Sequence, residues 1–125
     1  MARSQRLKDV VEAYSQHKMK AMRRLVTLTT KENLWIYIST LLEERECFAY
    51  ELQRAVLDRF GVLMASVTAY VLLYKMEREG LVERSTERRE GRRPTRKYYA
   101  LTAKGKAALA DARVYLQVLA AALAS

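Results

Sequence analysis

The chain has 125 residues, the length of one domain, and half of them are apolar, which is enough for a hydrophobic core. Its formal net charge of +9 predicts a polyanionic partner, and charge alone leaves DNA, RNA and an anionic membrane surface open. The single cysteine, Cys47, excludes an intramolecular disulfide and indicates a reducing compartment. No apolar run approaches the roughly 20 residues of a spanning helix and no signal-peptide core is present, so we expect a cytoplasmic protein without a membrane partner.

The first half of the chain is predicted to form three helices, because apolar residues recur at helical spacing. The first helix covers residues 3–26 and is strongly basic on its polar sides. The second helix begins at a cap formed by Thr29 or Thr30 and ends near residue 44. The third helix covers about 48–60 and is ended by a glycine.

The second half is predicted to form a fourth helix, a β-hairpin and a last helix. The fourth helix covers about 66–79, with Ser66 as its N-cap and Gly80 just beyond its end. Two strand-forming segments follow, LVERSTERR and RKYYALT, and the turn between them contains a glycine and the only proline. Thr102 is the predicted cap of the last helix.

This order of elements predicts a mainly α fold with a small β-hairpin, namely a winged helix-turn-helix with an extra N-terminal helix and a C-terminal dimerisation helix. The predicted domains are residues 1–28 for the basic N-terminal helix, 29–101 for the winged helix-turn-helix DNA-binding domain and 102–125 for the dimerisation helix.

The predicted fourth helix has a core face and an outer face. Ala69, Leu73 and Met76 cluster on one side of a helical wheel together with Leu72. In a helix-turn-helix the opposite face enters the major groove, and its N-terminal end touches the bases. The candidate DNA contacts on this helix are Ser66, Thr68, Tyr70, Tyr74 and Lys75. The alternative is that this face, which also carries Val67 and Val71, packs on another helix.

The hairpin is predicted to be a basic wing over residues 84–97. The candidate DNA contacts at or beside its tip are Arg88, Arg89, Arg92, Arg93, Arg96 and Lys97. Phosphates can neutralise this charge with release of counterions, and the arginines can reach a minor groove. The alternative is a solvated charge run. Because neighbouring strand residues alternate faces, one of Tyr98 and Tyr99 is expected in the core.

The last helix carries an apolar stripe that a single small domain cannot readily bury, which predicts a homodimer. The predicted interface residues are Leu109, Ala112, Leu116, Leu119 and Leu123. The alternative is that the first and last helices fold back on their own core. Trp35, Tyr37 and Tyr115 can line a small-molecule effector pocket at this interface, although aromatic residues at helical spacing more often belong to a core. His17 and Cys47 make no credible metal site, and we expect no cofactor.

Three segments carry a family resemblance: YELQRAVLDRFG at 50–61, SVTAYVLLYKMEREGLV at 66–82 and GRRPTRKYYALTAKGKAAL at 91–109. The most specific part is P-x-R-x-Y-Y-x-L-T-x-x-G, which begins at Pro94 and ends at Gly105. Together they resemble the PadR family of winged-helix transcriptional regulators.

The resemblance implies a homodimer paired through its C-terminal helices, specific operator binding and usually repression, which a small molecule at the interface sometimes relieves. It also implies recognition-helix roles for Ser66, Thr68 and Tyr70. The chain departs from the family pattern at Phe48-Ala49, where His-Gly is common, and at Val67 and Val71, where glycine and proline are common.

The sequence therefore predicts a homodimeric, sequence-specific regulator of transcription, a repressor, that binds double-stranded DNA on the nucleoid. One alternative is a non-specific architectural or chromatin DNA-binding protein of the same fold. A second is a protein-interaction adaptor, suggested by the apolar outer face of the fourth helix. An enzyme is not expected, because no catalytic triad and no glycine-rich phosphate loop is present.

Overall fold

The structure is a computed structural model that describes residues 6–88 and 96–125, without the side chains of 85–88. Its helices and strands, in chain order, are α1 (Leu7–Tyr14), α2 (Lys20–Thr29), α3 (Leu34–Glu44), β1 (Cys47–Phe48), α4 (Ala49–Phe60), α5 (Ser66–Arg78), β2 (Val82–Arg88), β3 (Arg96–Leu101) and α6 (Ala103–Ala124), with a 3₁₀ turn at Lys31–Asn33. The predicted mainly α fold with a wing is confirmed.

The prediction of one N-terminal helix over residues 3–26 is wrong, because two helices, α1 and α2, occupy this region. Polar groups between them satisfy the free ends of the backbone: the amide of Met19 donates to Nδ1 of His17 at 3.0 Å. The guanidinium of Arg23 donates to the carbonyls of His17 and Lys18 at 2.6 and 3.0 Å. These hydrogen bonds stabilise a turn that the apolar periodicity does not reveal.

Thr29 and Thr30 do not cap the second predicted helix. The hydroxyl of Thr30 donates to the carbonyl of Val26 at 2.7 Å, and that of Thr29 donates to the carbonyl of Leu25 at 2.9 Å. Both threonines therefore act at the end of α2, and α3 begins later, at Leu34, after the 3₁₀ turn. A threonine hydroxyl bonds a backbone carbonyl one turn earlier as readily as it caps a following helix.

The sheet has three antiparallel strands in the order β1-β3-β2, where the sequence predicted a hairpin of two. In the ladder Cys47 faces Tyr99, and Val82 faces Leu101. The strand β1 was missed because two residues give no periodic signal. It leads directly into α4, where the carboxylate of Glu51 accepts from the amide of Phe48 at 3.1 Å.

The core lies between α3, α4, α5 and the sheet. Ile38 of α3 and Leu52 and Val56 of α4 are fully buried. Tyr99 is buried while Tyr98 is half-buried, as the strand alternation predicts. The glycines after α4 and α5, Gly61 and Gly80, have φ of +73° and +80°, which confirms them as helix ends.

The wing is joined to α6 by Thr102, which is the predicted cap. Its hydroxyl accepts from the amide of Gly105 at 2.9 Å and donates to the carbonyl of Gly80 at 2.6 Å. The cap therefore fixes the start of α6 against the end of α5 as well as against the strands.

The helix α6 corrects two expectations. Leu109 is only 2% exposed and packs within its own chain, so it is not part of an exposed interface stripe. In addition, α6 is a 22-residue helix that is long and apolar enough to span a membrane, although no such run was expected. The reason is its alanine-rich composition, since charged residues are confined to its first half.

Candidate nucleic-acid interface

The helix α5 is held at its N-terminal end by a side chain of α4. The amide of Gln53 donates to the carbonyl of Met64 at 3.0 Å and to the hydroxyl of Ser66 at 3.2 Å. Ser66 is the first helical residue, and Ala65 stands at the N-cap position where Ser66 was predicted, so that prediction is wrong. This contact couples the orientation of α5 to α4, as in the two helices of a helix-turn-helix.

The outer face of α5 is exposed along its whole length, as the helical wheel predicts. Thr68, Tyr70, Tyr74 and Lys75 all lie in water, and Tyr70 is 60% exposed. On the opposite side Ala69, Leu73 and Met76 are buried and Leu72 is half-buried. The alternative in which this face packs within the chain is therefore wrong for the described residues.

The face combines apolar surface with a few polar groups. Val67 is 75% exposed and Val71 is 46% exposed, so both are free to make apolar contacts. The guanidinium of Arg78 donates to the hydroxyl of Tyr74 at 3.1 Å and lies 5.7 Å from the centre of its ring. Tyr74 is therefore already engaged at the C-terminal end of the face, whereas Tyr70 presents its exposed ring at the N-terminal end.

The base of the wing is attached to the helical domain on both strands. On β2, Arg84 forms a salt bridge with Glu77 of α5 at 3.1 Å. On β3, the guanidinium of Arg96 lies 4.6 Å from the ring centre of Phe48, which in turn makes an edge contact with Tyr98. The side chain of Phe48 thus supports the wing at one of the positions where the chain departs from the family pattern.

Only some of the predicted DNA contacts of the wing lie within the described residues. Lys97 is exposed, Arg96 is half-buried, and Arg88 faces Arg96 in the strand ladder. Arg89, Arg92 and Arg93 lie outside the described residues.

A groove of about 490 Å³ lies between the wing and α4 and is lined by Arg96 and Lys97 of β3, Tyr70 of α5 and Tyr50 of α4. The first three are predicted DNA contacts, whereas Tyr50 was not selected from the sequence. Tyr50 is 59% exposed in the first turn of α4. The available signal was an aromatic residue directly after a helix start, in the helix that precedes α5.

No other chemistry emerges from the described part of the chain. Within residues 6–88 and 96–125, no group of three or more His, Cys, Asp or Glu side chains can hold a metal ion. Cys47 is buried and free, and burial raises the pKa of its thiol. A buried neutral thiol behaves as a small apolar side chain.

The helices, the wing and the exposed face of α5 define a winged-helix DNA-binding fold. The model of the transcriptional regulator PadR-like family matches residues 38–111, more than half of the chain. The chain therefore belongs to the PadR family; it is a transcription regulator and not an enzyme. A search of curated protein sequences returned no match.

Solved structures of similar proteins agree with this assignment. A PadR family transcription regulator from Clostridium difficile is 27% identical, with a TM-score of 0.65 over 72% of this chain and 93% of that chain. A PadR-like transcriptional regulator from Bacillus cereus is 26% identical, with a TM-score of 0.65 over 78% and 91%. A PadR family transcriptional regulator from Eggerthella lenta shares the fold at 23% identity, with a TM-score of 0.71 over 83% and 89%.

Proposed function

We propose that this protein is a homodimeric, sequence-specific DNA-binding regulator that represses transcription on the nucleoid, in the cytoplasm. The observation that carries the proposal is the exposed N-terminal half of α5, which is anchored by buried residues on its other side. With this half in the major groove, Thr68 and Tyr70 offer hydrogen-bonding groups to base edges. Val67 and Val71 offer apolar contact to thymine methyl groups.

The wing supplies affinity for the phosphate backbone. Its described part presents Lys97 and Arg96 next to the groove at Tyr50 and Tyr70. The sequence adds the charges of Arg88, Arg89, Arg92 and Arg93, which can neutralise phosphates or enter a minor groove. Such contacts hold the protein on DNA of any sequence, while base contacts select the operator.

A second copy of the chain covers the outer half of α6. Every residue from 114 to 125 is exposed, and Leu123 is 79% exposed. Ala112, Leu116 and Leu119 continue this apolar surface toward the domain, so two copies of α6 can pair along it. Pairing also places two recognition helices on half-sites about 34 Å apart.

The dimer is tested by light scattering during gel filtration. The variant Leu119→Asp with Leu123→Asp should elute as a monomer, because burying two unpaired carboxylates in the dimer interface costs more free energy than leaving α6 exposed to water. A matched change at the exposed polar position Gln117→Asp should leave a dimer. A monomeric wild-type protein at micromolar concentration would contradict the proposed pairing.

A cleft that shares Ala112, Leu116 and Leu119 with this surface suits an apolar effector. It has a volume of about 690 Å³ and lies between α1, α2, α3 and α6, with Trp35, Tyr37 and Tyr115 in its wall. The hydroxyl of Tyr37 donates to the carbonyl of Thr29 at 2.6 Å, and burial raises its pKa. Since Trp35 is the only tryptophan, its fluorescence reports occupancy directly. Titration with an apolar aromatic dye should shift this emission, and Tyr115→Asp should weaken the dye binding.

The central experiment is selection of bound duplexes from a random DNA pool at about physiological salt, where non-specific binding fades. A palindromic motif with half-sites one turn apart is expected. Thr68→Ala or Tyr70→Ala should change the selected motif, whereas Arg92→Gln with Arg93→Gln should weaken binding to all duplexes equally. Tight binding without any motif would instead establish the architectural alternative.

A further inference from the structure

A basic stripe follows one face of α2 and continues into the 3₁₀ turn. Lys20, Arg24 and Thr27 succeed each other at intervals of four and three residues, which places them on one side of the helix, and Lys31 begins the 3₁₀ turn that follows. All four are exposed. Within the described ranges, none of the three cations has a carboxylate at ion-pair distance. The stripe precedes the part of the chain that matches the family model.

The stripe is contiguous with the outer face of α5. One groove is lined by Lys20, Arg24 and Thr27 together with Glu32. A second groove begins at Lys31 and the same Glu32 and ends at Thr68, Val71 and Lys75 of α5. Since Glu32 borders both grooves, a single surface leads from the N-terminal half of α5 to the far end of α2.

We propose that this α2 stripe binds the phosphate backbone of DNA that flanks the site read by α5. The inference rests on the proposed function, because it requires that α5 face the DNA. The helix α2 rises about 14 Å from residue 20 to residue 29, over which double-stranded DNA presents charges at roughly 1.7 Å intervals along its axis. The chain therefore has a second phosphate-binding element besides the wing, on the side of α5 where Lys31 lies.

The composition of the stripe indicates DNA rather than a protein surface. Its exposed groups are cations and a hydroxyl, the groups that bind phosphate oxygens. Among the residues that line the groove along α2, only Leu28 is apolar and none is aromatic, whereas protein interfaces are rich in aromatic residues. Glu32 is the one carboxylate that lines the two grooves. It repels phosphates at the junction, so its removal should strengthen binding.

The test compares two charge-matched double variants in fluorescence anisotropy with the selected duplex and with a random duplex. The first is Lys20→Gln with Arg24→Gln in the stripe. The control is Lys104→Gln with Lys106→Gln in the first turn of α6, beside the C-terminal end of α5. A Cβ added at Gly80, just beyond that end, would lie 3.5 Å from Cδ of Lys104. Circular dichroism verifies that both variants are folded.

The stripe variant should lower affinity for both duplexes and reduce the slope of log K against log salt by about 1.8 per bound chain, since each phosphate contact contributes about 0.9. Its sequence preference should be unchanged, and Glu32→Gln should raise the affinity. The difference between wild type and stripe variant should disappear as the flanking base pairs are trimmed from the duplex.

Equal salt slopes for the stripe and control variants would overturn the inference while leaving operator binding intact. If the wild-type protein bound no duplex at all, the proposed function would fail first, and the inference with it. The two failures are therefore distinguishable in one data set.

Discussion

Replacing Gly105 with alanine is expected to destabilise the junction between α6 and the wing. Gly105 is buried in the first turn of α6, and a Cβ there would collide with the backbone carbonyl oxygen of Leu81. It would also lie 2.6 Å from Cδ1 of Leu101 and 3.0 Å from the carbonyl carbon of Leu81. A leucine side chain can rotate away, but a backbone carbonyl within a hydrogen-bonded turn cannot, so α6 has to move.

Two opposing free energies decide the size of this effect. Alanine is favoured over glycine inside a helix by about 1 kcal/mol. Overpacking a tight contact costs about 1–3 kcal/mol and more where backbone must shift. The contact with the Leu81 carbonyl places Gly105 at the upper end of that range, so we expect a net loss of about 1–2 kcal/mol in the free energy of unfolding.

The assay is urea unfolding at one fixed protein concentration, because the proposed dimer has a stability that depends on concentration. The control is Ala110→Gly at an exposed position of the same helix, which should cost about 0.5–1 kcal/mol through helix propensity alone. If Gly105→Ala were as stable as wild type or more stable, propensity would outweigh the clash. The close approach of α6 to the backbone of Leu81 would then not be the reason for a glycine at this position.

Three further predictions concern hydrogen bonds and titration. Thr102→Ala should lose about 1–2 kcal/mol in urea unfolding, because the cap of α6 and the bond to the Gly80 carbonyl both disappear, whereas Thr102→Ser should keep most of it. Arg113 lowers the pKa of the Glu43 carboxyl through a 3.0 Å salt bridge, so the pair favours folding above the ordinary carboxyl pKa and loses this contribution as pH falls through the lowered value. NMR titration of Arg113→Gln should show the pKa of Glu43 returning upward; an unchanged pKa would contradict the pairing. Burial raises the pKa of the Cys47 thiol, so alkylation at about pH 8 should be slow in the folded protein and fast in urea, and rapid alkylation of the folded state would argue against a buried thiol.

Much of the fold is predictable because local signals and packing agree. Gly61 and Gly80 end their helices with positive φ, and Thr102 caps α6, each as the sequence indicates. The inward and outward faces of α5 follow directly from the spacing of its apolar residues. These features depend on neighbours within one or two turns, which a sequence pattern records.

Features that depend on distant partners were predicted less well. The turn between α1 and α2 is fixed by hydrogen bonds that His17 accepts from the Met19 amide and from the Arg23 guanidinium, which the apolar spacing does not encode. The two-residue strand β1 exists because it pairs with β3, far along the chain. Leu109 was assigned to an interface because its stripe is apolar, yet packing within the chain buries it while Leu116 and Leu119 stay exposed.

Three separate contacts hold the segment from Arg96 to Thr102 in position. Arg96 lies over Phe48, Tyr99 is buried, and the hydroxyl of Thr102 bonds the backbone of Gly80 just after α5. Each contact joins the β3 strand to a different element: the start of α4, the core, and the end of α5. The described base of the wing is therefore held at a fixed position beside α5.

The charge distribution then divides the proposed roles between elements. The helix α5 contains only two cations, Lys75 and Arg78, and the guanidinium of Arg78 is already engaged with Tyr74. A helix with so little free charge cannot supply most of the counterion release that drives DNA affinity. That contribution has to come from the wing and from the stripe on α2, which lie at opposite borders of the outer face of α5. In this proposal the exposed apolar and hydroxyl groups of α5 select the DNA sequence, because contacts with phosphates carry no sequence information.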